Sequence, residues 1–373
     1  MKTKKEEIFS IGYFGGTDVL RFICAAGVIF HHSSFMLGEK GAHTHAEKIF
    51  QFAGSFFLDV FFVISGFLIT LILMRELQAG VFSIKNFYIR RIIRIWPLYF
   101  LVVLVKIWLL SSLSGVPAET IRTNLAYALT FTVNFQVLAG EIVKGYPILW
   151  SICIEEHIYL LLPFLLLLFR RKFTWMCFFL IISGFISWIL FDAVICPSGL
   201  STPYFIPNSY FYYFGLGMLV ACIRNGTFPG KKYEASLFRP VVQVVVILVC
   251  FGYVFNVWGN HSSWPVILVI NGGFSAYLVW ASTTEHFIFK VKADLSRYLG
   301  NISYAMYICH IMIISLVIAF FRKKSVAFSE GAYGWGLPIV ALIICILLAS
   351  LLYYYFERPI LKLKKKFTVI GNK

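Results

Sequence analysis

Residues 17–37 read TDVLRFICAAGVIFHHSSFML, an apolar run of membrane-crossing length with Arg21 near one end and His31 and His32 near the other. Arginine and histidine are costly inside hydrocarbon. A helix that keeps them must turn them toward a polar cavity between helices, where water or partner groups solvate them. Arg21 and His32 are eleven residues apart, close to three helical turns, so they share one face about 16 Å apart along the axis. One helix thus offers a fixed cation and a titratable base at two depths.

The rest of the chain supplies the membrane. Its 373 residues are 60% hydrophobic, 18% aromatic and only 13% charged, with a mean hydropathy of +0.81, which excludes a water-soluble globule built on one core. Ten runs, near 17–37, 52–74, 94–112, 150–169, 174–193, 209–223, 240–257, 264–282, 302–321 and 336–356, are candidates to cross about 30 Å of hydrocarbon. An eleventh, 120–139, carries Asn124, Thr130, Thr132, Asn134 and Gln136. With ten spans and both termini cytoplasmic, 24 lysines and arginines fall in inside segments and 7 in outside loops. Counting 120–139 as a further span reverses that asymmetry, against the positive-inside tendency. The expectation is an all-α polytopic membrane protein of about ten transmembrane helices, both termini cytoplasmic, with a re-entrant or interfacial helix at 120–139. Arg322-Lys323-Lys324, placed outside, is the discordant detail.

The formal charge of +16 then encodes orientation in a bilayer rather than a nucleic-acid partner. Eight cysteines, at 24, 153, 177, 196, 222, 250, 309 and 345, lie mostly in apolar runs without Cys-x-x-Cys spacing, so neither a disulfide framework nor a metal site is indicated. Residues 1–16 read as a cytoplasmic segment before a retained signal-anchor, 17–357 as one transmembrane domain, and 358–373 as a basic cytoplasmic tail.

Rise per residue sets depth. His32 falls about 7 Å above the midplane and Arg21 about 9 Å below it; Glu155, on a helix running the other way, is level with His32, and Asp59 lies slightly deeper. Ser151, Glu155 and Tyr159 follow i, i+4, i+8 spacing and form one polar stripe, which puts Glu155 rather than Glu156 on the cavity face. His310 lies near the middle of its run. Arg90, Arg91 and Arg94 precede the third run at its cytoplasmic mouth, where guanidinium groups suit phosphates but equally serve as topology anchors. Ser65-Gly66 suits close helix packing better than nucleophilic attack. Tryptophans 96, 150, 258 and 264 fall at predicted span ends, as an interfacial belt would.

Taken in order, these segments resemble the acyltransferase 3 family of integral membrane O-acyltransferases. The likeness rests on Asp18-Val-Leu-Arg21 with His32, giving Arg-x10-His; on Leu58-Asp59-Val-Phe-Phe-Val-Ile-Ser65-Gly66-Phe67; and on Arg90-Arg91-Ile-Ile-Arg94-Ile-Trp-Pro97. It continues through Trp150-Ser151-Ile-Cys-Ile-Glu155-Glu156-His157-Ile-Tyr159, Leu299-Gly300-Asn301-Ile-Ser303-Tyr304 leading to His310, and Glu357-Arg358-Pro359. Two departures stand out: His157 occupies a position where the family commonly has glutamine, and no proline follows the His310 region.

The resemblance implies transfer of an acyl group, most simply acetyl, from cytoplasmic acyl-coenzyme A to a hydroxyl of an extracytoplasmic carbohydrate or glycolipid at a bacterial inner membrane. No permanently bound cofactor is implied, and a homodimer is left open. His32 is then the base, Glu155 its orienting carboxylate, and Arg21 a guide for the donor's pantetheine arm. Arg90, Arg91 and Arg94 are donor-phosphate contacts, with Ser151, Tyr159, Asp59, Glu156 and His310 as further binding candidates. Relatives with an appended esterase-like domain exist; this chain is expected either to complete transfer itself or to hand the group to another protein. The rival from another class is a secondary transporter, which also buries charge near the midplane but often shows inverted repeats, and none is visible here.

Overall fold

The computed structural model describes residues 10–11, 13–38, 50, 53–113, 116–139, 148–169, 171–191, 205–226, 237, 239–254, 264–323, 332–368 and 371–372. Thirteen α-helices are numbered among them. They are α1 (Gly15–Gly38), α2 (Ala53–Gln78), α3 (Ile84–Leu113), α4 (Ala118–Leu129), α5 (Val133–Leu138), α6 (Leu149–Leu168), α7 (Phe173–Leu190), α8 (Phe211–Arg224), α9 (Pro240–Val254), α10 (Trp264–Ser282), α11 (Ala293–Lys323), α12 (Ala332–Leu352) and α13 (Arg358–Leu363). The extended pieces are two residues each: β1 (Ser10–Ile11) pairs in parallel with β2 (Gly371–Asn372).

Within the described residues each of the ten expected runs carries a helix, and eight of these helices are long and apolar enough to cross a membrane. The exceptions are α8 and α9, with 14 and 15 residues. A 3₁₀ turn at Pro207–Tyr210 leads directly into α8 and lengthens its helical path. Two helices start nine or ten residues before their expected runs. α3 begins at Ile84 and α11 at Ala293, so Arg90, Arg91 and Arg94 ride on the first turns of α3 rather than in a connecting loop. At 30 and 31 residues these helices extend about 45 Å, longer than hydrocarbon alone requires.

The polar stretch 120–139 is not a span. It folds as α4 and α5, of 12 and 6 residues, separated by a break at 130–132. Its polar side chains explain the break. Gln136 donates to Asn124 at 2.6 Å across the two helices, Asn134 donates to the Phe205 carbonyl at 3.1 Å, and the Thr130 and Thr132 hydroxyls lie 2.7 Å apart. Phe131 holds a left-handed backbone (φ 56°), strained for a residue with a side chain, and its ring stacks on Tyr99 at 4.4 Å. Aromatic packing at that position offsets the backbone cost.

The outer surface matches lipid. Phe164, Leu167 and Leu168 on α6, and Trp175, Ile182 and Ile186 on α7, are exposed large apolar side chains in rows that water would not tolerate but acyl chains do. Seven cysteines are buried free thiols; Cys196, Lys324 and Trp258 lie outside the described residues, as does most of 1–16.

Two compact units divide the chain. One holds residues 1–13, 65–227 and 356–373, and the other 14–64 and 228–355, so α2 contributes to both. In the first, α7 packs on α8, α5 on α6, and α13 with the 3₁₀ turn Lys364–Phe367 lies against α3. The basic tail is therefore partly helical and docked. In the second, α1 packs on α10, α11 and α12, with α9 against α10. Small residues permit the close approaches. A Cβ on Gly66 would lie 2.2 Å from the Phe214 carbonyl oxygen, and one on Gly300 would lie 2.3 Å from the Asp18 carboxylate. Gly66 is thus a packing residue, as its sequence context suggested.

Candidate active site

In the second unit the polar groups gather around His32 on α1. Its ring is half-buried, and its Nδ1 is buried with no hydrogen-bond partner among the described residues. Two imidazoles pack edge-on against it: His31, the next residue, with centroids 4.9 Å apart, and His310 from α11, at 5.0 Å. Both neighbours are anchored through Nδ1 to a backbone carbonyl, His31 to Phe50 at 2.7 Å and His310 to Tyr307. His310 is fully buried. His31 also stacks on Phe35 and turns away around the helix toward the start of α2.

Arg21 lies on the same helix and forms an ion pair with Asp18 one turn earlier, at 3.7 Å. Asp59, 2% exposed on α2, accepts a hydrogen bond from Asn271 of α10 at 3.4 Å. Asn271 was missed in the sequence, although an amide in the middle of an apolar run is the kind of polar group that a membrane helix rarely carries without a partner.

In the first unit the carboxylates of α6 hold two separate sets of partners. Glu155 accepts hydrogen bonds from the hydroxyls of Ser65, at 2.6 Å, and Tyr159. The expected stripe is therefore real for Glu155 and Tyr159, while Ser151 on the same face donates to its own helix at the Ile148 carbonyl, 3.0 Å away. Glu156 points to another partner, accepting from the indole N–H of Trp96 at 3.0 Å. Trp96 thus serves inside the fold rather than in an interfacial belt, because α3 starts a full twelve positions before it.

The three arginines of α3 differ. Arg90 is buried and committed: its guanidinium lies 2.7 Å from Glu76, and it donates to the Phe367 carbonyl of the tail at 2.8 Å. Glu76 was not singled out in the sequence, since it sits in the polar end of α2 where a charge needs no explanation. Arg91 lies over the Tyr159 ring at 5.5 Å. Arg94, half-buried, has no ion pair or hydrogen bond among the described residues. No group of three or more histidine, cysteine, aspartate or glutamate side chains suited to a metal ion occurs among the described residues.

The second unit supplies a partly buried imidazole inside a membrane helix; the first supplies a carboxylate held by two hydroxyls and two arginines, Arg91 and Arg94, with no ion pair among the described residues. Comparison with known proteins gives these groups a context. A family profile described as an acyltransferase domain, acyltransferase 3, matches residues 14–355. An uncharacterized protein of Haemophilus influenzae (strain Rd) is 28% identical over 250 residues, which is 61% of this chain and 99% of that protein. The O-acetyltransferase OatA of Staphylococcus aureus (strain NCTC 8325) is 25% identical over 385 residues, 96% of this chain and 58% of the relative, so the chain spans little more than half of that protein's length. No solved structure matches.

Proposed function

The chain belongs to the acyltransferase 3 family, and on that premise we propose that it is a membrane O-acetyltransferase. In this reading it moves an acetyl group from cytoplasmic acetyl-coenzyme A to a hydroxyl of an extracytoplasmic carbohydrate or glycolipid at a bacterial inner membrane. Both termini are then cytoplasmic. The observation that carries the reading is His32: a partly buried imidazole in a spanning helix that also carries Arg21. The naming of a Staphylococcus relative as an O-acetyltransferase supports the acetyl group and the oxygen acceptor.

The chemistry asks little beyond these side chains. His32 takes the proton of the acceptor hydroxyl as its oxygen attacks the thioester carbonyl; the C–O bond forms, the C–S bond breaks, and the imidazolium returns the proton to the coenzyme A thiolate. Arg91 and Arg94 are the donor-phosphate contacts, because Arg90 is already committed to Glu76. Arg21 guides the pantetheine arm, and Glu155, held by Ser65 and Tyr159, supplies the fixed carboxylate of the α6 stripe.

The test is purified protein in detergent with labelled acetyl-coenzyme A, followed by NMR of surface polysaccharide from cells with and without the protein. Wild-type protein consumes the thioester and cells gain a base-labile ester; His32→Ala lowers consumption about 100-fold or more. Movement of intact substrate with no thioester chemistry overturns the reading in favour of a transporter.

A further inference from the structure

A base that accepts a proton on one ring nitrogen must keep its other nitrogen protonated and pointed at an acceptor, or the wrong tautomer leaves the lone pair facing inward. In water, solvent fills that role. In a spanning helix nothing does unless another side chain supplies it, and an unanswered N–H there costs a full desolvation penalty. His32 presents this problem directly: its Nδ1 is buried and has no hydrogen-bond partner among the described residues.

Resting on the transferase reading above, we propose that His310 is the positioning residue of the base, its Nε2 accepting the Nδ1–H of His32 and so leaving Nε2 of His32 to take the acceptor's proton. His310 packs edge-on against His32, with ring centroids 5.0 Å apart and planes at 70°; Nδ1 of His32 and Nε2 of His310 are both buried but not within hydrogen-bond geometry of each other, so a rotation of the His32 ring closes the bond. Its own tautomer follows from its anchor. A carbonyl oxygen only accepts, so the Nδ1 facing Tyr307 carries the proton and Nε2 carries the lone pair. Because His310 is fully buried on α11, which packs along α1, that lone pair is held in place by the fold.

His31 is the alternative imidazole and fits less well. It too is fixed through Nδ1, but to Phe50, and as the next residue on α1 its side chain leaves the helix about 100° away from that of His32. A neutral imidazole also has an advantage over a carboxylate in this place. It orients the base without adding a negative charge that the span would have to neutralise, and it strengthens its hydrogen bond when His32 becomes cationic.

The experiment follows acetyl-coenzyme A consumption by the full chain in detergent, together with ¹⁵N NMR of histidine-labelled protein. His310→Leu, which cannot accept, lowers kcat about 100-fold while KM for acetyl-coenzyme A stays within about twofold. His310→Gln, whose amide oxygen can accept, recovers kcat to within about tenfold of wild type. His31→Leu stays near wild type. In the wild-type spectrum neutral His32 is protonated on Nδ1. The proposal is overturned if His310→Leu keeps its kcat, if His310→Gln falls as far as His310→Leu, if His31→Leu takes the loss instead, or if neutral His32 carries its proton on Nε2. Wild-type protein that leaves acetyl-coenzyme A intact defeats the parent reading, and the tautomer spectrum still decides the pairing. Should His310→Leu not fold, the glutamine variant and the wild-type spectrum carry the decision.

Discussion

Arg90 and Arg94 stand four residues apart on α3 and have opposite circumstances. Arg90 and Glu76 form an ion pair whose side chains are 4% and 3% exposed, with the tail carbonyl of Phe367 as a further acceptor. Removing one partner of a buried pair leaves the other charge uncompensated, which typically costs about 3–5 kcal/mol. Arg90→Ala should therefore lower the thermal denaturation midpoint of the detergent-solubilised protein markedly. Arg94→Ala should leave that midpoint nearly unchanged while raising KM for acetyl-coenzyme A about tenfold, the loss of roughly one charge-assisted contact. Equal destabilisation by both would remove the basis for assigning the donor to Arg91 and Arg94. In sequence these arginines are one basic cluster. Only the positions of Glu76 and Phe367 separate them.

At the scale of elements, helix contacts in lipid depend on small residues because hydrocarbon gives no reward for bringing two apolar helices together. Gly66 and Gly273 are opposites in this respect. The first lies against the backbone of α8, where an added Cβ would meet the Phe214 carbonyl at 2.2 Å, whereas nothing lies within 4 Å of a Cβ built on the second, in α10. Gly66→Ala should separate α2 from α8 and lower the denaturation midpoint. Gly273→Ala should be neutral, or stabilising by up to about 1 kcal/mol through helix propensity. A tolerated Gly66→Ala would mean that the contact with α8 is not a rigid one. The break in 120–139 belongs to this scale as well: Asn124, Asn134 and Gln136 mark the stretch as unlike a span, but the pairing of Gln136 with Asn124 needs the chain to turn at Phe131.

For the whole molecule, the distribution of lysine and arginine predicts sidedness. A cysteine introduced at Lys365, on the surface of the docked tail, should react with a membrane-impermeant maleimide only after permeabilisation; the seven described native cysteines are buried and add little background. Labelling in intact cells would place the tail outside and invert every assignment of depth. The same charge pattern separates the ten expected runs from the eleventh, and the structure agrees that residues 120–139 form two helices too short to cross. Helix starts were less legible. α3 and α11 extend beyond their apolar windows because amphipathic first turns at a membrane surface are still good helix, and hydropathy alone does not see them.

Local quantities along the chain determined most of the architecture. Length and hydropathy gave a polytopic helical protein; helical period placed Arg21 and His32 on one face and joined Glu155 to Tyr159; motif order indicated the family. The tertiary structure decided partnership: Glu155 with Ser65, Glu156 with Trp96, Arg90 with Glu76, Asp59 with Asn271, and His310 against His32. The physical reason is that periodicity and transfer free energy are summed over neighbouring residues, whereas a hydrogen bond inside a membrane depends on ångström-scale distances between helices that are remote in sequence.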